Sequence, residues 1–209
     1  MKMKFFFFFC AVDLLFVCLH VFFGSQFDLL NLDRERTPAA LFSAIQFIGS
    51  AFAAAILFMI LKKRSEKILF SATSFLLIFM AFDEIAELHE NVAYYLVQYI
   101  PSFSFFGSKT AMWLVFLSPV IVGAFIMLGL VVWKIIHYSL RLGILMGGGL
   151  SFFGLALLLE FFGNNNGISS MRPYLVPLEE GLELLGGTLL LGALSSYATE
   201  LFHALYQRK

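Results

Sequence analysis

Carboxylates placed within apolar sequence are the residues here with the chemistry to bind a cation. Asp83-Glu84-Ile85-Ala86-Glu87-Leu88-His89-Glu90-Asn91 follows residues 68–82, a run of 15 without a charged side chain. A second string, Glu179-Glu180-Gly181-Leu182-Glu183-Leu184, opens another apolar stretch, and both read [DE]-E-x-x-E-L. Glu160 precedes Gly163, with Asn164 one turn further on. Ionised carboxylates are costly in a low dielectric, so several together require protons or a metal and titrate as a set. An oxygen-rich set with at most one or two imidazoles suits a divalent cation, Mn, Fe, Mg or Ca, over copper, and argues against structural zinc.

Helical phase sharpens the candidate set. In one continuous helix at ~100° per residue from Asp83, Glu90 falls near −20°, Glu87 near 40°, Asn91 near 80° and Glu84 near 100°. His89 points elsewhere, at about 240°. Glu179, Glu180 and Glu183 share an arc of about 100°. The expected metal ligands are Asp83, Glu87, Glu90, Glu180 and Glu183, with Glu84, Glu160 and His89 completing the set. A ferritin-like di-metal site needs Glu-x-x-His, and here Ala86 stands three before His89.

Such residues need helices to hold them in lipid. Hydrophobic residues make up 60% of the 209, with 27 Phe and 13% charged, more apolar surface than a soluble domain of this size can hide. The net charge of +0 offers no field for nucleic acid. Cys10 and Cys18, eight residues apart in one helix, are too far apart for a disulfide. Six apolar segments of membrane-spanning length emerge, at about 4–24, 39–61, 68–93, 111–136, 144–163 and 176–204. The first lacks a cleavage site and contains Asp13, so it reads as a retained helix and not a signal peptide. Short connections leave no room for a second domain. The expected fold is therefore all-α: a polytopic membrane helical bundle of six transmembrane helices, one domain over 1–209.

With both termini cytoplasmic, ten Lys and Arg fall on the inner side and four (Arg34, Arg36, Lys109, Arg172) on the outer. That favours both termini inside and a bacterial inner membrane. At ~1.5 Å per residue, Asp83 and Glu160 stand roughly 22 and 24 Å above the inner edge. Glu179 to Glu183 lie roughly 5 to 10 Å below the outer edge, so three helices bring acids to one level, which His20 and Gln46 also approach. The bland alternative is that these helix ends emerge into water. An inverted repeat would place the two strings in opposite leaflets, so a locally paired site fits better. Asp13 is lower than the rest and has no assigned role, and the Gly147-Gly148-Gly149 and Gly186-Gly187 runs suit close helix packing.

Asp83-Glu84-x4-His89-Glu90 and Glu179-Glu180-x-x-Glu183-x-x-Gly186 resemble strings in a group of small multi-pass bacterial membrane proteins of unassigned function. The likeness covers most of the chain from the third helix on and implies site positions but no reaction. CAAX-type proteases are similar only in the Glu179-Glu180 pair, and polyprenyl-diphosphate phosphatases only in Glu179 to Glu183.

The leading expectation is an outer-leaflet carboxylate cluster that binds a divalent cation or protons, in a transporter or sensor. One alternative is a metal-dependent membrane enzyme acting on a lipid or isoprenoid. Another is a non-catalytic subunit or assembly factor. The bilayer is the expected partner, with a membrane protein or a second copy as further ones.

Overall fold

With no water in the bilayer core to satisfy peptide groups, an apolar chain folds into helices. The computed structural model describes residues 3–32, 34, 36–99, 112–163 and 171–207, and among them it is all-helical, without strands. The elements are α1 (Met3–Phe23), a 3-10 turn (Asp28–Leu30), α2 (Pro38–Ile60), α3 (Arg64–Ala86), α4 (Leu88–Tyr99), α5 (Met112–Phe116), α6 (Ser118–Tyr138), α7 (Leu140–Gly163) and α8 (Arg172–Tyr206). Five of them, α1, α2, α3, α6 and α7, are long and apolar enough to cross a membrane.

Local signals explain several boundaries. Thr37 caps α2, its Oγ1 accepting from the Ala40 backbone N–H at 3.3 Å, and Pro38 occupies the first helical position. Pro119 stands in the first turn of α6, which starts at Ser118 without a side-chain cap. The expected helix over 68–93 is interrupted: α3 stops at Ala86, Glu87 adopts a left-handed conformation (φ 54°), and α4 begins at Leu88. The expected helix over 111–136 is likewise divided at Leu117 into α5 and α6. Pro177, expected in the first turn of the last helix, lies inside α8, which starts earlier at Arg172. Lacking an N–H, it leaves the Pro173 carbonyl without its usual helical donor.

α8 packs through the bundle against α1, α2 and α7. Where α7 and α8 cross, a Cβ on Gly149 would lie 2.9 Å from the Gly186 carbonyl oxygen, so only glycine permits the approach. Beside it, a Cβ on Gly187 would lie 2.2 Å from Gln46 Oε1, so this glycine makes room for the amide. Gln46 Nε2 donates to Asp13 Oδ1 and to Thr188 Oγ1, each at 2.9 Å, and Thr188 Oγ1 donates to Asp13 Oδ2 at 2.7 Å. All three residues are fully buried. The triad thus joins α1, α2 and α8 by hydrogen bonds that water cannot replace.

The two ends of the bundle differ. Toward the end carrying Lys62, Lys63, Arg64, Lys134 and Arg141, here the basic end, Leu57, Phe70, Leu77, Val131, Ile135, Met146, Leu194 and Tyr197 form a closed core. Lys134 Nζ pairs there with Glu66 Oε1, tying α6 to α3. Toward the opposite, acidic end, α6 leaves Val122 and Ile126 exposed.

The triad should contribute to stability out of proportion to its size. Asp13→Ala leaves the Gln46 and Thr188 donors facing an apolar void, and costs about 1–3 kcal/mol. Asp13→Asn, which keeps an acceptor, loses less. Thermal unfolding in neutral detergent should rank them wild type, Asn, Ala; equal midpoints for wild type and Ala would show that the triad holds nothing together.

Candidate functional site

At the acidic end the helices part around a cavity of about 380 Å³, within the range of small-molecule sites. α2 lines it with Ala39, Ala40, Ser43 and Phe47; α3 with Leu76, Phe79, Met80, Asp83 and Glu84; α4 with Leu88, His89 and Val92. Trp113 of α5 and Val120, Ile121, Ala124, Phe125 and Leu128 of α6 form a further wall. α7 contributes Leu150, Phe153, Leu157 and Glu160, and α8 contributes Arg172, Glu179, Glu180, Glu183 and Leu184. Arg34 and Thr37 come from the segment before α2. Six carboxylates, two guanidinium groups and one imidazole therefore share a space whose remaining walls are mainly hydrocarbon.

Contacts between helices fix the relative levels. Ser74 Oγ donates to the Ala51 carbonyl at 3.0 Å, joining antiparallel α2 and α3. Nine residues from each toward the acidic end, Asp83 stands level with Phe42, next to Ser43. α2 and α8 run in the same direction and meet at Gln46 and Gly187, which sets Glu183 level with Ser43. Gly163 of α7 lies against Leu175 of α8, which puts Glu160 near Glu179 and Glu180. The acids thus form two tiers, with Asp83, Glu84 and Glu183 nearer the apolar floor.

The break at Glu87 changes the phase argument. His89, expected to point away from Asp83, is brought onto it: the His89 backbone N–H donates to Asp83 Oδ1 at 3.0 Å, and Nδ1 lies 2.9 Å from Oδ2. Asp83 therefore caps the start of α4 from the preceding helix, satisfying an amide that α4 itself cannot. With the carboxylate ionised, Nδ1 is the donor of this bond, as in either the neutral or the protonated ring. The His89 ring packs on Trp113 at 4.7 Å between centroids, and Trp113 Nε1 donates to Glu160 Oε1 at 2.7 Å. One continuous polar and aromatic run thus joins α3, α4, α5 and α7.

Glu87 leaves the set. Its Oε1 accepts from Arg36 Nε at 2.9 Å, and it is not among the residues lining the cavity. Arg36 also has a positive φ, 62°, so the two left-handed non-glycine residues of the described chain are clasped to each other. Asn91 turns back to the helix end, its Nδ2 donating to the carbonyls of Ala86 and Glu87. The side chain of Glu90 lies outside the described residues, as do Lys109 and Asn164. Among the described residues, no three His, Cys, Asp or Glu side chains converge in a metal-holding group. His20 takes a structural part, its Nδ1 accepting from the Leu32 backbone N–H at 2.9 Å.

Three contributors were not singled out from the sequence. Trp113 could have been suspected as an indole N–H on the side of the acids. Ser43 stands one helical turn before Gln46, on the same face. Arg34 reaches the cavity through the fold of the segment before α2, which no spacing rule encodes.

No curated protein matches the chain, and no solved structure does. One family model matches residues 6–198, a span that reaches from α1 into α8 and takes in every helix lining the cavity. By that match the chain belongs to the family Domain of unknown function (DUF8692).

Proposed function

We propose that this is a six-span inner-membrane protein with both termini cytoplasmic, and that the acidic mouth of its cavity binds a divalent cation or protons. α8 serves as the sixth span. It is 35 residues long and packs against α1, α2 and α7, and a helix so enclosed can be more polar than one facing lipid. The basic end is then cytoplasmic.

The observation that carries the reading is the meeting of six carboxylates from α3, α7 and α8 at one cavity, with Arg34 and Arg172 as the fixed positive charges among the described lining residues. Asp83, Glu84, Glu160, Glu179, Glu180 and Glu183 are the side chains that would hold the ion. Carboxylate oxygens accept several donors or metal bonds, so existing hydrogen bonds do not preclude a ligand. Transport or sensing follows from competition between protons and the cation.

Manganese titration of the purified protein in neutral detergent, with metal analysis, checks this. Affinity should fall as pH falls, because ligating carboxylates must be deprotonated. Glu183→Gln and Glu160→Gln should each weaken binding about tenfold or more. Glu200→Gln, on the exposed basic end of α8, should leave it unchanged. The reading would be falsified by absence of bound metal combined with identical pH-dependent stability in wild type and both cavity variants.

A second reading rests on the Asp83–His89 pair. A carboxylate that holds Nδ1–H leaves Nε2 as the basic nitrogen, the tautomer of a general base, on the wall of a cavity apolar enough for a lipid. In an enzyme of this kind the other carboxylates hold an activating metal, and the substrate is a lipid or isoprenoid. Release of a water-soluble headgroup from added lipid, abolished by His89→Gln with the protein still folded, is the expected result. Absence of turnover across phospholipid and isoprenyl diphosphate substrates would eliminate it.

A further inference from the structure

We propose that the cavity takes an amphiphilic amine, its ammonium group among the carboxylates and its hydrocarbon body on the apolar floor. The inference rests on reading the mouth as a cation site, and it names the class of cation. A bare ion or proton leaves two features of the cavity unused.

The first is the floor. Leu76, Phe47, Leu128 and Phe153 carry the lining toward the closed core, with Leu128 ten residues into α6, a depth of ~15 Å. A hydrated ion gains nothing from such walls, whereas a hydrocarbon chain gains with every methylene it buries. The second is Ser43. It is only 4% exposed, it lines the cavity, and its Oγ has no hydrogen-bond partner. Ser50, two turns along α2, returns its hydroxyl to the carbonyl of Gln46 in its own helix. Ser43 does not, and a buried hydroxyl left unpaired is destabilising.

Level and charge define the ligand. Ser43 and Glu183 stand one turn toward the acidic end from Gln46 and Gly187, which touch. The hydroxyl is therefore level with the deepest carboxylate, and the ligand's matching polar atom belongs beside its charged head, not halfway along its chain. The head is cationic because six carboxylates outnumber two guanidinium groups around it. An anionic head would be repelled, and a neutral one would leave that field unused. Trp113 supplies an aromatic wall, a surface that attracts ammonium groups. An amino alcohol or amino amide on a single hydrocarbon chain has this combination.

Trp113 also provides the readout. The full chain in lipid nanodiscs, with Trp133→Phe to leave one tryptophan, is titrated with dodecylamine, dodecanol, an amino alcohol of the same chain length, and manganese alone. A saturable Trp113 response to dodecylamine is expected, absent with dodecanol and about tenfold weaker in Glu183→Gln. The amino alcohol should bind more tightly than dodecylamine, and Ser43→Ala should erase that advantage. Because the hydroxyl it removes has no partner, this substitution leaves the fold intact. Equal responses to dodecylamine and dodecanol, or an unchanged affinity in Glu183→Gln, would mean simple partitioning and overturn the inference. Manganese binding without amine binding overturns it and leaves the cation reading standing; binding of neither also overturns it, and the cation or proton reading then falls only if pH-dependent stability is identical in wild type and the carboxylate variants.

Discussion

Hydrocarbon gives no hydrogen bonds, and much of the structure follows from how polar groups inside it find partners. The backbone solves this by becoming helix. Side chains solve it by meeting across helices, and the clearest case is Asp13, whose two oxygens accept from Gln46 and Thr188. That meeting brings α1, α2 and α8 together and demands Gly187, since any larger residue would strike the Gln46 amide. In the adjoining position, Gly186 meets Gly149 and lets α8 and α7 touch backbone to backbone. A buried acid and three glycines thus specify how four helices approach one another near a single level.

From that level the molecule continues differently in its two directions. Toward the basic end, close-packed aliphatic and aromatic side chains fill the space between α2, α3, α6, α7 and α8. Toward the acidic end the same helices diverge, and the gap is lined by hydrocarbon below and carboxylates above. The result is a closed base under an open, acid-rimmed cavity.

The turn at Glu87 decides how the rim is built. A continuous helix would have spread Asp83, Glu84, Glu87 and Glu90 along one face and aimed His89 away. By adopting a left-handed conformation, Glu87 ends α3, and Asp83 becomes the cap of α4 and the partner of the His89 imidazole. The ion pair with Arg36 stabilises the break, and it ties the turn to another left-handed residue just ahead of α2. A charge that phase alone assigns to the site is used instead to shape it.

Much about this protein follows from sequence by itself, for a physical reason: burial in lipid is set by composition, and helix length by the 1.5 Å rise. The helical class, the five long apolar segments and the gathering of Asp83, Glu84, Glu160, Glu180 and Glu183 toward one end of the bundle were legible because position along a helix is proportional to residue number. Contacts between helices are not. Asp13 looked isolated because its partners lie 33 and 175 residues away. Trp113, Ser43 and Arg34 joined the site only through packing. The departure of Glu87 and the return of His89 came from one backbone torsion, which residue spacing does not encode. Sequence determined which groups lie on the long apolar helices and how far along them; tertiary structure decided which of them face one another, because that depends on where helices bend and how closely they pass.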